Sequence, residues 1–338
     1  MPYAVIMAGG QGERFWPLTN PDFPKYRLKF EGKKSLLQNT YTRLGKLYRK
    51  SEIFVVTTRE HVRFIREELP GLSKTNLIIE PHRNNTASAI LLSTAWIGRR
   101  YGRESIVSFF PADHLIQKEA LFCRTLRGAI HAAATADYLV TLGIRPEFPS
   151  TAYGYIEAGG RLPGQKTACR VKRFIEKPNF AKAKAYARHK NFYWNGGIFT
   201  WKAGVFLSAL QAAAPQFYKK FSLNDIEKSY KVLPNISIDY VLLEKTTRIA
   251  VYPALMDWCD IGSWDRLYDK SPKIGGDNYL EGSAAVSDVR NSFILNHTGR
   301  PLIVLGLSDV VVANTAGGTL ICRRGLSDQA ALLAKSFK

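Results

Sequence analysis

An α/β fold is predicted for this chain: a mainly parallel sheet with packed helices, an α+β insertion, and a small C-terminal all-β domain. Three observations predict it. Apolar, β-branched runs alternate with helical patterns from residue 3 to residue 142, the signature of βαβ units. Gly154, Gly159, Gly160 and Gly164 then mark turns and hairpins in a mixed stretch. Past residue 271 helical spacing fades into short apolar runs at about ten-residue intervals, as a small β domain requires. The expected domains are residues 1–270 and residues 271–338, the second closing with a helix. With 338 residues, 46% hydrophobic and only 22% charged, the chain can bury a full core. Disorder, collagen, coiled coil and disulfide miniprotein are excluded.

Residues 3–7 read as the first strand. From Ser35, Leu37, Tyr41, Leu44 and Tyr48 share one face at helical spacing, and Ser35 with Gln38 forms a capping box. Residues 53–57 are a second strand. Thr57 and Glu60 offer another capping box for a helix to Leu69, stopped by Pro70-Gly71. A short strand at 77–79, a helix at 86–101 and a strand at 105–110, ended by Pro111, follow. After a helix around 121–136 and a strand at 138–142 comes the insertion, with strands at 168–175 and 197–201 and helices at 180–189 and 203–214. Residues 249–252 resemble a further strand. The C-terminal runs are 284–289, 293–296, 302–305, 310–313 and 319–322, with a helix at 328–337. No internal repeat or low-complexity tract is convincing.

Forty-eight Lys and Arg against 28 Asp and Glu give a formal charge of +20, which reads either as a generally basic surface or as an anionic partner: phosphorylated substrate, nucleic acid or acidic lipid, which charge alone does not separate. Cys123, Cys169, Cys259 and Cys322 form no CxxC pair and no zinc-ligand spacing, and read as reduced thiols. Residues 3–7 run into Gly9-Gly10 without a basic flank or cleavage site, and no apolar run approaches the length of a membrane span. A cytoplasmic protein is expected.

Ligands of open α/β sheets bind beyond the carboxyl ends of the strands. After the first strand comes Ala8-Gly9-Gly10-Gln11-Gly12-Glu13-Arg14-Phe15-Trp16-Pro17. Its glycines let backbone N–H groups close on phosphate oxygens, and Arg14 adds charge. Neither the Walker pattern nor the dinucleotide fingerprint is met, and a structural turn is the plain alternative. Lys25, after Pro24, is near enough in sequence to fold back over this loop; a surface charge is its alternative. Glu80-Pro81 follows the third strand and Pro111-Ala112-Asp113-His114 the fourth. Asp113 can hold Mg²⁺ or cap a helix, and Asp260, in an aromatic and glycine-bearing turn, has the same two readings. Glu176-Lys177 and Asn195-Gly196 stand beside aromatics, which suits a sugar; an edge-strand charge pair and a plain turn are the alternatives. No HExxH, GxSxG or Cys–His–Asn signature supports metalloprotease or covalent hydrolase chemistry.

In order, these elements resemble the sugar-phosphate nucleotidyltransferases, most closely the short-chain mannose-1-phosphate guanylyltransferases. The resemblance covers nearly the whole chain. It rests on Val5-Ile6-Met7-Ala8-Gly9-Gly10 with Arg14-Phe15-Trp16-Pro17-Leu18, Pro24-Lys25, Glu80-Pro81 with Asn85-Thr86-Ala87, and Pro111-Ala112-Asp113-His114. Gly143-Ile144 leading to Tyr153-Gly154-Tyr155-Ile156 belongs to it, as do Phe174-Ile175-Glu176-Lys177-Pro178 and Trp194-Asn195-Gly196. Ser237-Ile238-Asp239-Tyr240 and Asp260-Ile261-Gly262-Ser263-Trp264 complete the series. Departures from the family pattern are Glu13, Tyr26-Arg27, Asn84, Ser88, Ser150 and Ala152, which bear on base and sugar selectivity. A short-chain member is expected, without the second, isomerase domain of longer bifunctional relatives.

The resemblance implies a Rossmann-like core with a sugar-binding insertion, and transfer of GMP from GTP to mannose 1-phosphate, giving GDP-mannose and pyrophosphate. A sugar phosphate with a second pKa of about 6 is largely dianionic at neutral pH, so the nucleophile needs no general base. The site must instead bring two anions together, with Mg²⁺ and cations. By the resemblance, Arg14 and Lys25 are catalytic, Asp113 and Asp260 bind Mg²⁺, and Gly9, Gly10, Gly12, Glu80, Pro81, Asn85 and Thr86 contact nucleotide. Gly154, Glu176, Lys177 and Asn195 contact the sugar phosphate. The expected partners are GTP and mannose 1-phosphate, with no specific nucleic acid, no membrane, and a homodimer left open. The alternatives are the same reaction with another nucleotide or sugar, a non-catalytic sensor of nucleotide sugars, and a nucleic-acid-binding protein, which no RRM, KH, zinc-finger or helix-turn-helix signature accompanies.

Overall fold

The computed structural model describes residues 1–10, 12–29 and 32–337. The chain divides into two compact units. The larger takes Met1–Gly9, Thr40–Ala112 and Ile116–Trp258, and the smaller Gly10–Asn39, Asp113–Leu115 and Cys259–Lys338.

Up to residue 144 the elements are β1 (Pro2–Met7), α1 (Leu36–Leu44), β2 (Ile53–Thr58), α2 (Val62–Glu68), β3 (Leu77–Glu80), α3 (Asn85–Tyr101), β4 (Ile106–Pro111), β5 (Leu115–Ile116), α4 (Glu119–Thr135) and β6 (Leu139–Ile144). The insertion adds β7 (Tyr155–Arg161), β8 (Cys169–Ile175), α5 (Phe180–Arg188), β9 (Phe192–Lys202), α6 (Ala203–Ala213), α7 (Pro215–Lys219) and α8 (Ile226–Val232). A π-helical turn, Asp239–Leu243, leads to β10 (Ile249–Ala254), β11 (Trp258–Cys259) and α9 (Trp264–Lys270).

In the larger unit nine strands among the described residues form one sheet, in the order β3-β2-β1-β4-β9-β6-β10-β8-β7. β3, β2, β1 and β4 are parallel, as the βαβ pattern predicts, and β1 and β2 are apolar on both faces because helices cover the sheet. β9 enters antiparallel between β4 and β6, turning the sheet mixed through the insertion. Trp201 on β9 is fully buried and stacks on Phe206 of α6 at 4.8 Å, in a core that continues through Phe109, Leu91 and Val5. A fully buried aromatic of this kind contributes about 2–3 kcal/mol of transfer free energy.

Two local expectations need correction. Thr57 does not cap a helix: its hydroxyl donates to the Ala8 carbonyl at 2.6 Å, and a 3₁₀ turn, Arg59–His61, precedes α2. Gly159 and Gly160 lie inside β7, where its register against β8 shifts, rather than in a turn. The Ser35–Gln38 box forms in both directions, at 2.9 and 3.2 Å.

The smaller unit is built on Phe15, Leu28, Leu36, Trp264, Phe293 and Val311. Its C-terminal strands are β12 (Tyr279–Gly282), β13 (Ala284–Ser287), β14 (Phe293–Asn296), β15 (Leu302–Leu305), β16 (Val310–Thr315) and β17 (Gly318–Arg323), followed by α10 (Ser327–Leu333). Tyr279 pairs with Phe293 and Phe293 with Val311, while Ala284 pairs with Leu302, all parallel. The chain thus winds in successive coils, and β17 closes the sheet antiparallel. The unequal offsets between paired residues hide the repeat from the sequence. Among the described residues no helix is long and apolar enough to cross a membrane.

Candidate active site

Three clusters collect the candidate residues. The first lies in the smaller unit. Gly12 has φ +71°, and a Cβ there would stand 2.4 Å from the Lys25 Cβ, so backbone conformation and space both require glycine. Thr19 donates to the Gly12 carbonyl at 2.7 Å. Gln11 lies outside the described residues. With Pro17 ahead, the segment forms only a 3₁₀ turn, Glu13–Phe15, burying Phe15 against Trp264 and leaving Arg14 exposed. A second 3₁₀ turn, Lys25–Arg27, carries Lys25 inward until the residue is 7% exposed.

The Lys25 ammonium donates to Asp113 Oδ2 at 2.7 Å and to the Asp260 carbonyl at 2.6 Å. Burial alone would raise the Asp113 carboxyl; the charges of Lys25 and His114 and the Lys25 hydrogen bond hold it below the ordinary carboxylate value. Asp260 Oδ1 accepts from the Gly262 amide at 3.0 Å. A Cβ at Gly262 would stand 2.9 Å from Asp260 Oδ2 and 3.3 Å from Arg14 Nη1, so carboxylate and guanidinium converge over that glycine. Arg14, Lys25, Asp113 and Asp260 therefore form one charged cluster from three separate stretches of chain.

The second cluster is in the larger unit, at the ends of β1 and β3. A Cβ at Gly9 would lie 3.8 Å from Glu80 Oε2, whereas one at Gly10 would meet no described atom within 4 Å. Glu80 is buried, and Tyr230 of α8 donates to its Oε1 at 2.9 Å. Burial pushes the Glu80 carboxyl up to about 7, against the Tyr230 hydrogen bond, which lowers it. Pro81 begins the bend out of β3. Asn85 sits at φ +61°, its side-chain oxygen accepting from the Thr86 amide at 2.9 Å, and Thr86 Oγ1 accepts from the Ile238 amide at 3.0 Å. Two departures from the family pattern bond to each other: Asn84 Nδ2 donates to Ser88 Oγ at 3.0 Å and to the Leu233 carbonyl at 3.1 Å.

The third cluster, in the same unit, gathers Gly154, Glu176 and Asn195. A Cβ at Gly154 would be 2.5 Å from Glu176 Oε2 and 3.4 Å from the Asn195 Cβ, so only glycine leaves room for both. The Gly154 carbonyl accepts from the Asn195 amide at 2.8 Å. The Asn195 side chain is oriented by Thr141, which donates to Oδ1 at 2.9 Å, and by Asp239, which accepts from Nδ2 at 3.0 Å. The Glu244 carboxylate accepts from the Glu176 amide at 2.9 Å. Lys177, at φ +46° and exposed, holds its ammonium 3.2 Å from the Glu176 carboxylate. Burial and the nearby Glu176 charge raise Asp239, and burial raises Glu176 against the attraction of Lys177. Asp239, Glu244, Thr141 and Tyr230 were given no role by sequence reasoning. Asp239 stood inside a quoted motif, yet its π-helical turn has no 3.6-residue pattern to betray it.

The nucleotidyl transferase family profile matches residues 3–276. The chain is 34% identical over 335 residues to a mannose-1-phosphate guanylyltransferase of Salmonella montevideo, covering 94% of this chain and 70% of that protein. It is 35% identical over 340 residues to one of Escherichia coli strain K12, covering 95% and 70%. A crystal structure described as a mannose-1-phosphate geranyltransferase of Thermus thermophilus superposes with a TM-score of 0.87 at 29% identity, covering 99% of both chains. With its parallel nucleotide-type sheet, mixed insertion and separate C-terminal β-sheet, the chain belongs to the nucleotidyl transferase family, as a sugar-1-phosphate nucleotidyltransferase of the mannose-1-phosphate guanylyltransferase type.

Proposed function

We propose that the protein transfers GMP from GTP to mannose 1-phosphate. A phosphate oxygen of the sugar phosphate bonds to the α-phosphorus of GTP, the bond from that phosphorus to the β-phosphate's bridging oxygen breaks, and pyrophosphate leaves with the electron pair. The observation that carries the reading is the buried Lys25 ammonium fixed between Asp113 and the Asp260 carbonyl, with Arg14 beside Asp260. Two acceptors lock the ammonium in place, so it meets developing negative charge without reorganising. Arg14, exposed, presents its fork to phosphate oxygens.

The family reaction calls for a divalent cation. Among the described residues no three His, Cys, Asp or Glu side chains form a metal cluster, so a cage built wholly of protein ligands is not on offer. The pair Asp113 and Asp260 fits Mg²⁺, which takes one or two carboxylates and completes its shell from water and substrate phosphates. Bound there, Mg²⁺ would neutralise phosphate charge. Glu80 and the Gly9–Gly10 turn would receive the nucleotide, together with Gly12, Pro81, Asn85 and Thr86. Glu176 and Asn195, converging over Gly154, would receive the sugar hydroxyls, and Lys177 its phosphate. A cytoplasmic location belongs to the same reading, supported by four free cysteines.

A panel of NTPs against sugar 1-phosphates, scored by pyrophosphate release, tests this function. GTP with mannose 1-phosphate and Mg²⁺ should be the best pair. A tenfold preference in kcat/KM for another base or sugar, about 1.4 kcal/mol, would overturn the substrate assignment.

A further inference from the structure

The contact between Glu80 and Tyr230 goes beyond these roles, and its meaning rests on the GTP reading. Glu80 ends β3, with one carboxylate oxygen beside the Gly9 turn and the other accepting from Tyr230. Tyr230 is fully buried in α8, 150 positions further along the chain. Its ring is fixed by His82, which stands perpendicular to it at 5.6 Å and whose Nε2 lies 3.2 Å from the Tyr230 carbonyl. A tyrosine held so firmly offers its hydroxyl at one place.

We infer that Tyr230 is a positioning residue for base selection, holding the Glu80 carboxylate aimed so that it accepts from the two adjacent donors of guanine, N1–H and the exocyclic N2–H. Guanine presents two donors side by side on that edge, while a protonated carboxyl has given up one acceptor position and a rotated one meets a single donor. Tyr230 is an ionisable side chain that meets Glu80. His82 packs on Tyr230, and the charge of Arg83 acts on His61. The Tyr230 hydroxyl lowers a carboxyl that burial has raised to about 7. Without that hydroxyl the carboxyl titrates higher and is neutral over more of the working range. Guanine affinity then falls as pH drops through the new, higher midpoint.

The test is steady-state kinetics of the full chain with mannose 1-phosphate and Mg²⁺, with GTP or ITP, for the wild type and Tyr230→Phe from about pH 6 to about pH 9. Inosine keeps N1–H and lacks the amino group. Tyr230→Phe should raise the KM for GTP about tenfold, leave kcat within about twofold, move the midpoint of the KM–pH profile upward, and shrink the preference for GTP over ITP. An unchanged KM and midpoint would overturn the inference, as would equal losses in kcat and in the KM of both substrates, the mark of a packing defect. Should Tyr230→Phe not fold, Glu80→Gln decides: it should raise the KM for GTP and flatten the KM–pH profile, and a retained midpoint would overturn the inference. Wild-type protein that neither turns over GTP nor binds it in equilibrium dialysis would overturn the GTP reading, and this inference with it. Normal GTP turnover with an unaffected Tyr230→Phe defeats this inference alone.

Discussion

Gly154→Ala gives the most direct test of the proposed sugar-binding role of the Gly154–Glu176–Asn195 cluster, because the perturbation is geometric and its size is set by the structure. The new methyl carbon would lie 2.5 Å from Glu176 Oε2, where an ordinary contact begins at 3.4 Å. The carboxylate must therefore retreat by roughly 1 Å, since side chains already sit at contact distance and cannot interpenetrate. It is the end of a flexible side chain, so the fold survives, at a cost of about 1 kcal/mol. Displacing a substrate-positioning group by about 1 Å costs on the order of 10²-fold in rate, or about 2.7 kcal/mol of transition-state stabilisation. The loss should appear in kcat/KM for mannose 1-phosphate at saturating GTP, measured by pyrophosphate release, while the KM for GTP stays within about twofold. In a Glu176→Ala background the alanine at 154 should have almost no further effect, because the clashing oxygen is gone. A folded Gly154→Ala variant with unchanged kcat/KM for the sugar phosphate would refute the placing of Glu176 against the sugar.

Two further outcomes test the charged cluster. Lys25→Ala should lower kcat by about 10²–10³, or about 3–4 kcal/mol, far more than it raises the KM for nucleotide, and unchanged kcat in a folded variant would make Lys25 structural only. Asp113→Asn and Asp260→Asn should each shift the Mg²⁺ midpoint of the initial rate, with strongly non-additive losses in the double variant; multiplicative losses at an unaltered midpoint would reject a shared ion.

The parallel strands were legible because each is an apolar, β-branched run, a local property of the chain, and three of them stop at glycine or proline: β1 before Gly9, β3 before Pro81 and β4 at Pro111. The Ser35–Gln38 cap was legible for the same reason, both partners lying within one turn. The Thr57–Glu60 cap has the same pattern and does not form, since the Ala8 carbonyl, just past the end of β1, takes the Thr57 hydroxyl first. Tertiary competition of that sort leaves no mark in a short window. The partners of Glu80 and Asn195 were hidden likewise: Tyr230 is 150 positions from Glu80, and Asp239 is 44 from Asn195. Asn84 and Ser88 were each visible as a departure from the family pattern. That they answer one another, amide to hydroxyl, became visible only once α3 brought them together.

The smaller unit is assembled from three stretches of chain that leave the ribosome far apart in time. Gly10–Asn39 emerges early, yet Lys25 waits 235 residues for the Asp260 carbonyl, and the strands that complete its core come later still. At roughly 5–20 residues per second, that delay is about 12–47 seconds, long enough for the larger unit's first strands to be translated and to begin folding. Until Cys259–Lys338 has been made, Phe15 and Leu28 have no core to enter. During synthesis, then, an apolar and basic segment near the N-terminus stays uncovered until the last stretch of the chain has been made.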